Sequence, residues 1–106
     1  TIFDERIIIM MVLITYDVNT KSQSGTKRLR KVAKQCVNYG QRVQNSVFEC
    51  SLTPAQLVNL KSKLLDIIDQ DHDSIRFYNL GKNWQNRVET VGKDDSYDPD
   101  KDLLII

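Results

Sequence analysis

One aspartate closes the first apolar run of this chain, and it is where chemistry is first expected. Val12-Leu13-Ile14-Thr15-Tyr16-Asp17 reads as a β-strand, and its Val, Leu and Ile suit a strand covered on both faces. A carboxylate ending such a run costs desolvation free energy unless water, a donor or a cation meets it. Residues 18–48 contain no acid, yet they hold Lys21, Lys27, Arg28, Arg30, Lys31, Lys34 and Arg42. A lone carboxylate at a strand tip beside a wholly basic segment suggests a metal-assisted phosphate site. The plainer alternative is a turn or helix-capping aspartate.

Asp17 alone cannot run two-metal phosphodiester chemistry. Mg²⁺ usually keeps several waters and is held by one or two carboxylates. A two-fold axis would bring a second Asp17, and two-fold dimers are the commonest oligomers. The expected cofactor is therefore Mg²⁺ or Mn²⁺, and the expected state a homodimer. Lys27, Arg28, Arg30, Lys31 and Lys34 carry the electrostatic footprint of a phosphate binder, although lysine-rich helix faces are often simply solvated. Arg42 adds a fork able to grip phosphate in a bidentate way that lysine lacks. Tyr16 either joins the core or stacks on a base. His72, in Asp71-His72-Asp73, suits a surface turn, and Trp84 suits the cover of an interface. The sequence has no Gly-rich phosphate loop, no Ser-His-Asp set and no zinc spacing.

The elements that must position these groups follow from periodicity. The 106 residues suit one domain with a modest core. The formal net charge of +1 says little about partners. Its distribution says more, because basic residues gather before residue 48 and acids crowd the end. Cys36 and Cys50 suit small buried hydrophobes in a reducing, cytoplasmic setting. The apolar run at residues 7–14 falls well short of the roughly twenty needed to span a bilayer, so no membrane partner is expected. Residues 1–9 are read as a leader or an added segment, 10–92 as the domain, and 93–106 as an acidic linker with an apolar tail.

Residues 19–25 form a polar loop, after which Thr26 caps a helix. Leu29, Val32, Ala33, Cys36 and Val37 make its apolar stripe. Val43 and Phe48 differ in parity, so the next apolar stretch must break, and Asn45-Ser46 supplies a tight turn between strands at 41–44 and 47–52. Thr53-Pro54-Ala55-Gln56 starts a second helix with a capping box, and Leu57, Leu60, Leu64, Ile67 and Ile68 give its stripe. A strand at 74–80, a loop at 81–87 and a short fifth strand at 88–92 follow. The order β-α-β-β-α-β predicts an α+β, ferredoxin-like antiparallel sheet with two helices on one face.

Three stretches carry a family resemblance. Val-Leu-Ile-Thr-Tyr-Asp-Val at 12–18, Lys-Arg-Leu-Arg-Lys-Val-Ala-Lys at 27–34 and Tyr-Gly-Gln-Arg-Val-Gln-Asn-Ser-Val-Phe-Glu-Cys at 39–50 resemble the second of the two universal CRISPR adaptation proteins, in its type I-C-like branch. The likeness runs over residues 11–92. It implies a ferredoxin-like homodimer whose last strand crosses to the partner's sheet. It implies Asp17 as catalytic metal ligand, and Tyr16, Lys31, Arg42 and Phe48 as functional positions, with Arg28 and Arg30 as equally suited phosphate contacts. It further implies a metal-dependent endonuclease acting on RNA or double-stranded DNA, or a non-catalytic scaffold bridging CRISPR integrase dimers. A toxin-like ribonuclease of the virulence-associated D type is the remaining alternative. The tail Leu103, Leu104, Ile105 and Ile106 is expected to meet the integrase.

Overall fold

A computed structural model of the chain describes residues 8–92. Its elements run β1 (Met10–Asp17), α1 (Gln23–Cys36), β2 (Gly40–Gln44), β3 (Val47–Leu52), α2 (Pro54–Ile67) and β4 (Ser74–Gly81), followed by one 3₁₀ turn at Trp84–Asn86. The sheet order is β2-β3-β1-β4 with every pair antiparallel. This is the expected ferredoxin-like arrangement.

β1 is central because its Val, Ile and Tyr side chains need cover. Val12, Ile14 and Tyr16 are buried, Leu13 and Thr15 are half-buried, and Asp17 is exposed. Successive strand side chains point to opposite faces, so this alternation places the helices on one face only. Cover on both faces, expected from the apolar run, does not hold within one chain. The core joins Val12, Ile14 and Tyr16 to Leu29, Val32 and Cys36 of α1, Phe48, Cys50 and Leu52 of β3, and Leu60 and Leu64 of α2.

α1 starts four residues earlier than a cap at Thr26 implies. Ser22, rather than Thr26, is the cap, and its hydroxyl accepts from Gly25 N at 3.0 Å. Thr26 instead donates its hydroxyl to Thr20 O at 3.0 Å and to Ser22 O at 3.1 Å. Gly25 is buried because the loop carbonyl of Asn19 lies where a Cβ would sit, 1.8 Å from its ideal position. The loop that follows Asp17 is thereby folded down onto the first turn of α1.

The parity break between Val43 and Phe48 has two parts. Arg42 pairs with Phe48 and Gln44 with Val47, so Val43 forms a bulge before the turn at residues 45–46. The capping box of α2 is complete: Gln56 N donates to Thr53 Oγ1 at 3.2 Å, and Thr53 N donates to Gln56 Oε1 at 2.9 Å. Leu60 and Leu64 anchor α2 in the core. In β4, Ile75 and Phe77 face the core while Arg76 and Tyr78 face away. Residues 88–92 form no strand with the described residues of their own chain.

Candidate nucleic-acid and metal site

Asp17 lies on the last residue of β1, paired with Ser74 of β4. It lines a cleft of ≈ 370 Å³ with Thr15, Thr20, Asn45 and Ser46, and Tyr16 and Leu29 form part of the walls. The polar donors here are oxygens and one amide, the hard type that Mg²⁺ and Mn²⁺ prefer. One chain contributes one carboxylate, and among the described residues no three His, Cys, Asp or Glu side chains cluster. The donor chemistry therefore fits a Mg²⁺-type ion, with water or a second Asp17 completing the set.

Tyr16 points the other way. It is 2% exposed, and its hydroxyl donates to Asp73 Oδ2. Asp73 also receives Arg28 Nε at 2.8 Å, Arg28 Nη2 at 3.1 Å and Asp69 N at 3.0 Å. Its side chain is fully buried, and that of Arg28 is 20% exposed. Burial pushes the Asp73 carboxyl up, but the hydrogen bonds from Arg28, Tyr16 and Asp69 N outweigh it and hold the group below the usual carboxylate range. The Asp73 hydrogen bond raises the Arg28 guanidinium pKa further, so the pair stays ionised. Burial first, then the hydrogen bond to Asp73, pushes the Tyr16 phenol up to about 12.

This network decides the readings of Tyr16 and Arg28, and strand pleating decides that of Phe48. Tyr16 belongs to the core and offers no face for a base to stack on. Arg28 spends both ends of its fork on Asp73 rather than on phosphate. Phe48 is fully buried, because strand pleating turns it to the helix-covered face. Arg42 also differs from expectation: Nε donates to Asn45 O at 2.7 Å and Nη2 to Asn45 Oδ1 at 3.1 Å, with the guanidinium 5.6 Å from the Phe48 ring centroid. Its fork holds the hairpin turn.

Lys27, Arg30, Lys31 and Lys34 are exposed on the outer face of α1, as expected. His72 is an exposed turn residue, 3.0 Å from Asp69 Oδ2. Cys36 and Cys50 are free and buried. The hydrogen bond with Cys50, then burial, pushes the Cys36 thiol up, so it is an inert core group. Leu103, Leu104, Ile105 and Ile106 lie outside the described residues, as do residues 1–7. No helix among the described residues is long and apolar enough to cross a membrane.

Asp73 and Asn45 were missed from sequence. For Asp73 one signal existed, an acid just before an apolar strand in a chain whose first helix has basic residues and no acid. Asn45 was noted only as turn chemistry.

Residues 10–88 match the family model of the CRISPR associated protein Cas2. The chain belongs to this family. A Cas2 relative from Chlorobaculum tepidum, named a CRISPR-associated endoribonuclease, is 56% identical over 96 residues, covering 91% of this chain and 100% of the relative. One from Halalkalibacterium halodurans, named a CRISPR-associated endonuclease, is 57% identical over 95 residues, covering 90% and 99%. The crystal structure of Streptococcus pyogenes Cas2 at pH 6.5 shares 71% identity and a TM-score of 0.74, covering 78% of this chain and 100% of that one. The Cas2 match covers β1 to β4, and so both Asp17 and the turn at residues 45–46.

Proposed function

We propose that this chain is a CRISPR adaptation nuclease that cleaves phosphodiester bonds in RNA or double-stranded DNA. The observation that carries this is the exposed Asp17 carboxylate at a strand tip, facing a cleft of oxygen donors, in a family whose relatives bear nuclease names. Asp17 from each of two subunits would hold Mg²⁺ or Mn²⁺. When bound, the cation offsets negative charge on the scissile phosphate. Lys27, Arg30 and Lys31 would hold flanking phosphates, which fix position and carry no sequence code. The cleft has no histidine or second acid to act as a strong general base, so turnover is expected to be slow. Asp17→Asn should lower cleavage by more than about a hundredfold while leaving the fold intact. Full activity in that variant, or in excess EDTA, would sink the reading.

The homodimer is part of the proposal. The sheet face turned away from the helices carries Leu13, Val47 and Tyr78, and residues 88–92 are left to pair with a second copy's sheet edge. Sedimentation of a monomer at micromolar concentration would count against it. A second reading, a scaffold that binds double-stranded DNA and bridges the CRISPR integrase subunit, draws on the exposed basic face of α1. Spacer acquisition retained by Asp17→Ala would favour the scaffold. In either reading Leu103, Leu104, Ile105 and Ile106 are proposed to dock on the integrase, and deletion of residues 99–106 should weaken that association without dissociating the dimer.

A further inference from the structure

We infer that the β2–β3 turn is a phosphate-oxygen subsite facing Asp17, built from the Asn45 side-chain amide and the Ser46 hydroxyl and positioned by Arg42. The inference rests on the nuclease reading for its substrate class. Asn45 and Ser46 line the same cleft as Asp17 and Thr20. The turn is fixed to the strand that bears Asp17, because Tyr16 N donates to Ser46 O at 2.9 Å.

Arg42 decides which end of Asn45 is presented. Its guanidinium binds both oxygens of that residue, the backbone O and the side-chain Oδ1. An amide whose oxygen is held by a guanidinium has its NH₂ end left to donate, and no described residue accepts from it. The Phe48 ring beneath the guanidinium and the bulge at Val43 hold Arg42 in this pose.

Neutral donors suit this position. A lysine or arginine in the cleft would pair with Asp17 and compete with a divalent cation for its carboxylate. An amide and a hydroxyl donate to a phosphate oxygen without neutralising Asp17. Arg42 is therefore a positioning residue, acting through Asn45. The turn's own segment has no acid between Val18 and Phe48 to repel a phosphate.

The test uses full-length protein, Mg²⁺, a labelled single-stranded RNA and a labelled DNA duplex. Asn45 is exposed, so its variants keep the fold. Asn45→Ala should raise KM roughly tenfold, the worth of one hydrogen bond to a charged group, with kcat within about twofold. Asn45→Asp should raise it further, since it sets a carboxylate against the phosphate. Ser46→Ala should act in the same direction more weakly. Arg42→Ala should match Asn45→Ala, and the double variant should add nothing to either. Arg42→Lys, which lacks the fork, should not rescue KM. Unchanged probe affinity and KM in Asn45→Asp would overturn the subsite. Full additivity of Arg42→Ala and Asn45→Ala would overturn the positioning role. Asp17→Asn, run alongside, separates the two ideas. Retained cleavage there removes the nuclease reading, whereas lost cleavage with an indifferent Asn45→Asp removes only the subsite.

Discussion

Tyr16 is 2% exposed and hydrogen-bonded to a buried carboxylate, whereas Asp17, the next residue, is exposed and faces a cleft. The two sit on one strand end with one register. The pleat sends their side chains to opposite faces, so the same few residues of backbone serve stability on one side and the proposed chemistry on the other. The Tyr16 side is saturated: Asp73 accepts from Tyr16, twice from Arg28 and once from Asp69 N. The Asp17 side holds a carboxylate whose desolvation cost is avoided by exposure, which leaves it open to a cation. Fold and activity at this strand end should therefore fail separately.

The largest contrast is between the two aspartates. Asp73→Ala removes the acceptor from a buried phenol and a guanidinium, and should lower the melting temperature by more than about 10 °C. Cleavage per folded molecule should stay near wild type below that temperature. Asp17→Asn should do the reverse, with a melting temperature within about 2 °C of wild type and cleavage lost. Thermal melts read beside single-turnover cleavage check both. A shared loss of activity at unchanged stability would erase the distinction.

The second contrast is in pH. The folded Tyr16 phenol is raised to about 12 from an ordinary 10.0. An unfolded chain ionises first, so Tyr16's contribution is complete below pH 10 and is lost as pH rises toward 12. Asp73 is depressed, so its contribution is present above the ordinary carboxylate pKa and is lost as pH falls through the lower folded value. Melting temperature against pH should therefore fall at both ends. Tyr16→Phe should flatten the alkaline limb and Asp73→Asn the acid limb. An alkaline limb that persists in Tyr16→Phe would place the titration elsewhere.

The smallest effects separate Arg28 from its neighbours on α1. Lys27→Ala and Lys31→Ala should each reduce the salt slope of nucleic-acid binding by about one, at unchanged melting temperature. Arg28→Ala should lower the melting temperature and leave the slope near wild type. A slope loss in Arg28→Ala equal to that of Lys31→Ala would return Arg28 to the phosphate face.

Much of the fold was legible because it is written in local pattern. Leu29, Val32, Ala33 and Cys36 recur at helical spacing, Thr53 and Gln56 form the expected box, and the hairpin turn falls at residues 45–46. Asp17 was legible as a charge that ends an apolar run. Periodicity reports which face a side chain takes, but not what meets it there. Arg28 lies beside Lys27 and Arg30 in sequence, and only the distant Asp73 distinguishes it. The resemblance implies a functional position for Phe48, whereas its parity with Cys50 and Leu52 marks it as core. The start of α1 at Gln23 was hidden because its first turn, held by Ser22 and Gly25, is polar.

Asp73 also sets an order in time. Its partners Arg28 and Tyr16 precede it by 45 and 57 residues, and it immediately precedes the strand that fills the second edge of β1. On the ribosome, everything from β1 to α2 is made while a tyrosine hydroxyl lacks its acceptor and a central strand has a bare edge. A chain stopped at residue 72 keeps both defects and should be cut by a protease that spares one extended through β4. Completion of the turn at residues 69–73 gives Tyr16 its acceptor, and β4 then closes the bare edge of β1.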